Sequence, residues 1–172
     1  VDELAEDPSR LDDRMLDIMA PRHASGLTVL SAHRHFLSSS EISEEVITRA
    51  LDAASRKFAN LVIDLPRGWQ RWSEGVLSGS TEIYVVTDPT VPGLKSASRL
   101  HGELVKELAP DVMPKVIVNK YGRGLFGAGL SASEMKKHLG AALAGTVADE
   151  EKLVKEAIDR GVPVTEIKSK NA

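Results

Sequence analysis

The 172-residue chain contains no cysteine. Disulfides, thiol redox pairs and every thiolate-based zinc or iron–sulfur site are excluded. Aromatic residues are only 4% of the chain, and its two tryptophans stand three residues apart. No apolar run approaches the ~20 residues that a membrane-spanning helix needs. The opening VDELAEDPSR is acidic and polar, unlike a secretory signal. A cytoplasmic chain without a transmembrane segment is expected. Net charge is small, −3 at pH 7, so the strongly basic footprint of a dedicated nucleic-acid binder is missing. Also missing are a G-x-x-x-x-G-K-[ST] phosphate loop, a G-x-S-x-G nucleophile elbow and a legible pair of catalytic carboxylates. The first residue is Val rather than Met, which reads as a fragment or a processed chain.

What is present is ordinary for a folded protein: 42% hydrophobic and 27% charged residues. The length predicts a single α/β domain over residues 1–168, followed by a short tail at 169–172. Helical spacing predicts a helix at 8–19 through Leu11, Met15, Ile18 and Met19. A longer one is predicted at 41–58, where Ile42, Val46, Ala50, Ala54 and Phe58 recur every fourth residue behind Ser40 as N-cap. Further helices are predicted at 93–108, 131–139 and 149–160. The second of these opens on a capping box, Ser131-x-x-Glu134, with Leu130 and Met135 as its hydrophobic staple. The third stops at Gly161 with Pro163 beyond. Short strands are predicted at 27–32, 60–65, 82–87, 115–119 and 142–147. The apolar runs NLVIDL, EIYVVT and KVIVN are continuous rather than alternating, as for strands covered on both faces. Strands alternating with helices imply a mainly parallel sheet flanked by helices.

Ligands of such sheets bind at the carboxyl ends of the strands. The polar residues there are Asp64, Thr87 with Asp88, and Asn119 with Lys120. Asp64, directly behind four apolar residues, has the pattern of a Walker B carboxylate that holds Mg²⁺, or of a strand-end cap. Asn119 has the chemistry to pair with a nucleobase edge or to close an Asx-turn. The NKxD motif of guanine-binding NTPases would place Asp at 122, where this chain has Gly122, so guanine is disfavoured. Gly122-x-Gly124-x-x-Gly127 mimics a dinucleotide fingerprint, but a helix does not open at once behind it; 121–130 reads as a loop. His33 and His35 lack a clear third metal ligand, and His101 and His138 read as helix-face residues. Trp69 and Trp72 are either a packing face or an exposed partner patch.

Taken in order, LVIDLPRGWQRW, EIYVVTDPTVPGLKSASRL, KVIVNKYG, LSASEMKKHLG and AGTVADEEKLVKEAIDRGVPV resemble the ParA/MinD deviant-Walker ATPases. Within them the chain looks most like the CpaE/TadZ pilus-assembly branch. The Asp-x-Pro with spaced tryptophans and the T-x-P-x-x-x-G-L-x-x-A-x-x-L pattern at 87–100 point there. The resemblance covers about residues 60–166 and implies a P-loop NTPase fold, incomplete on its N-terminal side. It implies that Asp64 stands near Mg²⁺, that Asn119 lies beside adenine, and that Thr146 to Asp149 form the loop closing over the base. Ala148 departs from the family's usual Pro there. ATP and Mg²⁺ are thus expected in a complete domain, with a homodimer and pilus or secretion components as partners, at the inner membrane face or cell pole.

The phosphate loop and its central strand have no counterpart in this sequence, so the chain alone is expected to be inactive, with no catalytic residue of its own. Unpaired edges or a groove are expected where that strand would lie. The alternatives are a nucleotide-independent interaction scaffold of the same fold, or an ATPase that positions plasmids, chromosomes or the division site. The basic residues Lys136, Lys137, Arg49, Arg56 and Lys57 are interspersed with acids and read as a solvated face rather than a nucleic-acid surface.

Overall fold

The computed structural model describes residues 13–31, 43–68, 70–110, 112–122 and 130–167. The chain forms two compact units, residues 1–76 and 77–172.

In the first unit, α1 (Asp13–Met19) packs against α2 (Glu44–Lys57). Leu16 and Ala53 are buried at the contact, and Met15, Met19, Ala50, Ala54 and Phe58 close around them. The fourfold spacing in the sequence therefore marks a real buried stripe. Asp17 and Lys57 form an ion pair between the two helices. The N-cap of α2 is Ser43, whose hydroxyl accepts the Val46 N–H at 3.3 Å. The predicted cap Ser40 lies outside the described residues, as does the start of the predicted first helix. Glu44 and Glu45 sit in the first turn of α2 and Arg56 and Lys57 in the last, each complementing the helix dipole.

Two predicted strands are not formed here. Around 27–31 the backbone makes one isolated antiparallel bridge, Arg22 to Thr28, around a turn in which Gly26 has φ +90°. Over 60–65 the chain is extended by sequence but belongs to no ladder. Val62 is 98% exposed, and Leu61 and Ile63 are also exposed. β-rich composition makes a strand only where a neighbour accepts its hydrogen bonds. Among the described residues this run has none.

The short α3 (Ser73–Ser78) leads into the second unit. There β1 (Tyr84–Thr87), β2 (Lys115–Tyr121) and β3 (Leu143–Ala148) form a parallel sheet in the order β1-β2-β3. The crossovers are α4 (Val91–Glu107) and α5 (Ala132–Leu139), and α6 (Glu151–Arg160) follows β3. Leu94, Ala97 and Leu104 form the buried stripe of α4, which packs on β1, β2 and α5. His101, read from the sequence as a helix-face residue, is half-buried and its Nε2 lies 3.0 Å from the Pro114 carbonyl oxygen. The capping box of α5 is complete: Ser131 Oγ accepts the Glu134 N–H, and the Glu134 carboxylate accepts the Ser131 N–H at 2.8 Å. Met135, predicted for the staple, is fully buried. Gly161 ends α6 at φ +63°, a conformation a Cβ would strain.

One face of this sheet is covered. Val85, Val116 and Val118 are buried, whereas Tyr84 is exposed and Val86 is 62% exposed. The continuous apolar runs predict cover on both faces. The helices α4 and α5 supply it on one, so at β1 that expectation is corrected.

Candidate functional site

The carboxyl ends of β1, β2 and β3 lie side by side because the strands are parallel and in sequential order. At the end of β1, Thr87 and Asp88 lead into Thr90, the N-cap of α4. The Thr90 hydroxyl accepts the Gly93 N–H at 3.1 Å and donates to Asp88 Oδ1 at 2.7 Å. A Cβ at Gly93 would lie 2.0 Å from that same Asp88 oxygen and 2.9 Å from Thr87 Oγ1. Gly93 thus admits a carboxylate to the first turn of α4, where the helix dipole favours negative charge. The chain supplies its own anion at this helix end. Its signal in the sequence is the run Asp-Pro-Thr-x-Pro-Gly, whose glycine has no meaning until the fold brings Asp88 against it.

At the end of β2, the ladder with β3 breaks. Val118 pairs with Thr146, and the next registered pair is Tyr121 with Ala148, so Asn119 and Lys120 together oppose Val147. This is a local bulge of the kind that re-aims side chains. Lys120 has φ +57°, the one non-glycine with positive φ among the described residues. Its N–H donates to Asn119 Oδ1 at 2.9 Å. Just beyond, the Asp149 N–H donates to the Tyr121 carbonyl at 3.0 Å, and a Cβ on Gly122 would stand 3.5 Å from Asp149 Cβ. Asn119, Thr146 and Asp149 therefore gather at one end of the β2–β3 pair. Asn119 is half-buried; Thr146 and Asp149 are exposed. Sequence spacing had not signalled the bulge or the left-handed Lys120.

The other predicted residues belong to the first unit. Asp64 is exposed in the first unit, in the segment that forms no strand. Trp72, also in that unit, is buried in the turn before α3, and its indole N–H has no hydrogen-bond partner among the described residues. That corrects the exposed-patch reading for Trp72 in favour of packing. Trp69 lies outside the described residues. No group of three or more His, Asp or Glu gathers to hold a metal among the described residues. Mg²⁺ in nucleotide sites is held by one or two carboxylates together with phosphate oxygens. Asp64 is a donor of that type, but no phosphate loop stands in the sequence to complete the set. The Asn119 carboxamide carries both a donor and an acceptor, the groups that pair with a base edge.

No family model matches the chain. Its sequence is 28% identical over 127 residues to the septum site-determining protein MinD of Bacillus subtilis (strain 168), over 72% of this chain and 46% of that protein. Its structure superposes on the ParA family ATPase from Chlorobium tepidum TLS with a TM-score of 0.79 at 19% identity, over 98% of this chain and 69% of that one. The fold is that of the ParA/MinD ATPases. A chain of the MinC:MinD cell division protein complex of Aquifex aeolicus agrees, with a TM-score of 0.69 at 23% identity over 95% of this chain and 64% of that one. The chain spans about half the length of the Bacillus MinD and about two thirds of the solved ParA/MinD structures. The similarity reaches the ParA/MinD group and no single branch inside it. In this fold the carboxyl ends of β2 and β3 are strand ends of the kind where ligands of open parallel sheets bind. No helix among the described residues is long and apolar enough to cross a membrane.

Proposed function

We propose that the chain carries the base-binding side of a ParA/MinD-type ATP site in a protein that positions cellular machinery. The observation that carries this reading is the Asn119 carboxamide, held at the open end of β2 beside Thr146 in a chain whose sequence is related to MinD. Asn119 pairs with adenine, and Thr146 to Asp149 flank it. Asp64 would be the carboxylate to hold Mg²⁺ in the full gene product, where the ion would supply charge neutralisation at the phosphates. This chain's own residues hold the base edge and position a carboxylate. Turnover is a property to be measured on the full gene product. The full protein acts as a homodimer at the cytoplasmic face of the inner membrane.

The curated relative favours division-site or cargo positioning. The Asp-x-Pro-tryptophan motif and the pattern at 87–100 favour a Tad-type pilus as the cargo; a scaffold of the same fold that works without nucleotide is the alternative. Mg²⁺-dependent ATP binding by the full gene product separates the ATPase from the scaffold. Asp64→Ala is expected to abolish the Mg²⁺ dependence, and Asn119→Ala to weaken ATP about tenfold, the loss of one good hydrogen-bonded contact. Binding unchanged by both substitutions sinks the site assignment. Deleting the gene and scoring septum placement against pilus assembly then identifies the cargo.

A further inference from the structure

We infer that Met113 is the site at which this chain reacts with peroxide: its thioether is oxidised to the sulfoxide ahead of every other methionine here, without loss of the fold. The inference is independent of the nucleotide reading. The sequence has no cysteine, so the thioethers of its four methionines are its only sulfur. All four lie among the described residues, and their surroundings differ. Met135 is fully buried on α5. Met15 and Met19 are half-buried on α1, packed against the contact of Leu16 with Ala53. Met113 is 60% exposed.

Met113 stands between α4 and β2, where the backbone on both sides is held. The Val112 N–H donates to the Ala109 carbonyl at 3.0 Å. Pro114 is buried and its carbonyl oxygen lies 3.0 Å from His101 Nε2. The Lys115 N–H donates to the Ile83 carbonyl at 2.9 Å. Those bonds fix the backbone while the Met113 side chain stays in water. In the reaction the sulfur attacks the peroxide O–O bond, which breaks. One oxygen bonds to sulfur and the other leaves as water with both protons; sulfur gives up two electrons and the peroxide takes them. The product is polar. At Met113 it remains solvated, whereas at Met135 it would set a polar oxygen in the core without a partner. Methionine sulfoxide reductases reverse the step, two thiols becoming a disulfide as the oxygen leaves in water.

The experiment treats the full gene product with hydrogen peroxide and follows each of the four methionine peptides by mass spectrometry for one added oxygen. Met113 is expected to oxidise about tenfold faster than Met15 or Met19, and Met135 slowest, in the order of their access to solvent. In denaturant the four are expected to react alike. Protein carrying the sulfoxide at Met113 alone is expected to keep its melting temperature. Reductases for the two sulfoxide epimers, supplied with a thiol, are expected to restore the thioether. Met113→Leu is expected to remove the fast reaction and leave the other three rates unchanged, with a melting curve to show that the variant is folded. Equal native rates at the four positions, or Met15 or Met19 ahead of Met113, overturn the inference. So does a melting temperature that falls as Met113 alone is oxidised.

Discussion

Gly93 shows how one side chain's absence positions three polar groups. Nothing local demands glycine two residues inside α4; its φ is unremarkable and its helix propensity is poor. The requirement comes from Asp88, whose carboxylate occupies the space a methyl group would fill. Gly93→Ala is therefore expected to displace Asp88 from Thr90 and lower stability by about 1–2 kcal/mol despite alanine's better propensity. Thermal melting of the two proteins checks this, and a higher melting temperature for the alanine variant would refute the close packing. Asn119 and Lys120 make the same point. The residue types at the end of β2 were legible, but the bulge and the positive φ of Lys120 were not, because both belong to the register with β3.

At the scale of elements, the helices of the second unit were nearly complete in the sequence. Ser131 and Glu134 announced α5 and Gly161 the end of α6, whereas α4 starts at Val91 behind its Thr90 cap, two residues before the predicted start. These signals are local, since a cap satisfies backbone groups within one turn of itself. The α5 box also carries a pH dependence. Bonds from the Ser131 hydroxyl and N–H hold the Glu134 carboxyl below its ordinary value, with smaller help from His138 and Lys137. A depressed carboxylate contributes stability above its unfolded value, about pH 4.3, and that contribution fades as pH falls through the lower folded value. The protection factors of the amides at the start of α5, exchange rates corrected for the intrinsic pH dependence, should fall on acidification through this window. In Glu134→Gln the fall should be blunted; an identical profile of protection against pH in the two proteins would remove Glu134 from the account. The strands were legible only where a neighbour completed them. The runs 82–87, 115–119 and 142–147 found ladder partners and became β1, β2 and β3, while 27–32 and 60–65 carry comparable apolar sequence and did not.

For the molecule as a whole, the consequence is apolar surface left in water. Val62 in the first unit and Val86 in the second are both exposed, and unpaired apolar segments of this kind favour association. Val62→Lys is expected to shift the folding free energy by less than about 0.5 kcal/mol, as for other exposed positions, while raising the concentration at which the protein stays monodisperse. Light scattering beside a melting curve measures both; a large drop in melting temperature would mean that Val62 is covered in solution.

Composition, caps and helical period by themselves determined that this is an α/β chain, where α5 starts and α6 stops, and which polar residues end β1 and β2. They did so because those signals act within a few residues. The motif order carried the likeness to ParA/MinD ATPases for a related reason: spacing along the chain survives where individual residues do not. Only the tertiary structure decided which apolar runs became strands, which sheet face was covered, that Trp72 packs inward, and how Asp88 and Asn119 are held. Each of those outcomes depends on a partner distant in sequence or on a strained backbone that the surrounding ladder enforces, and neither is encoded in the residue that bears it.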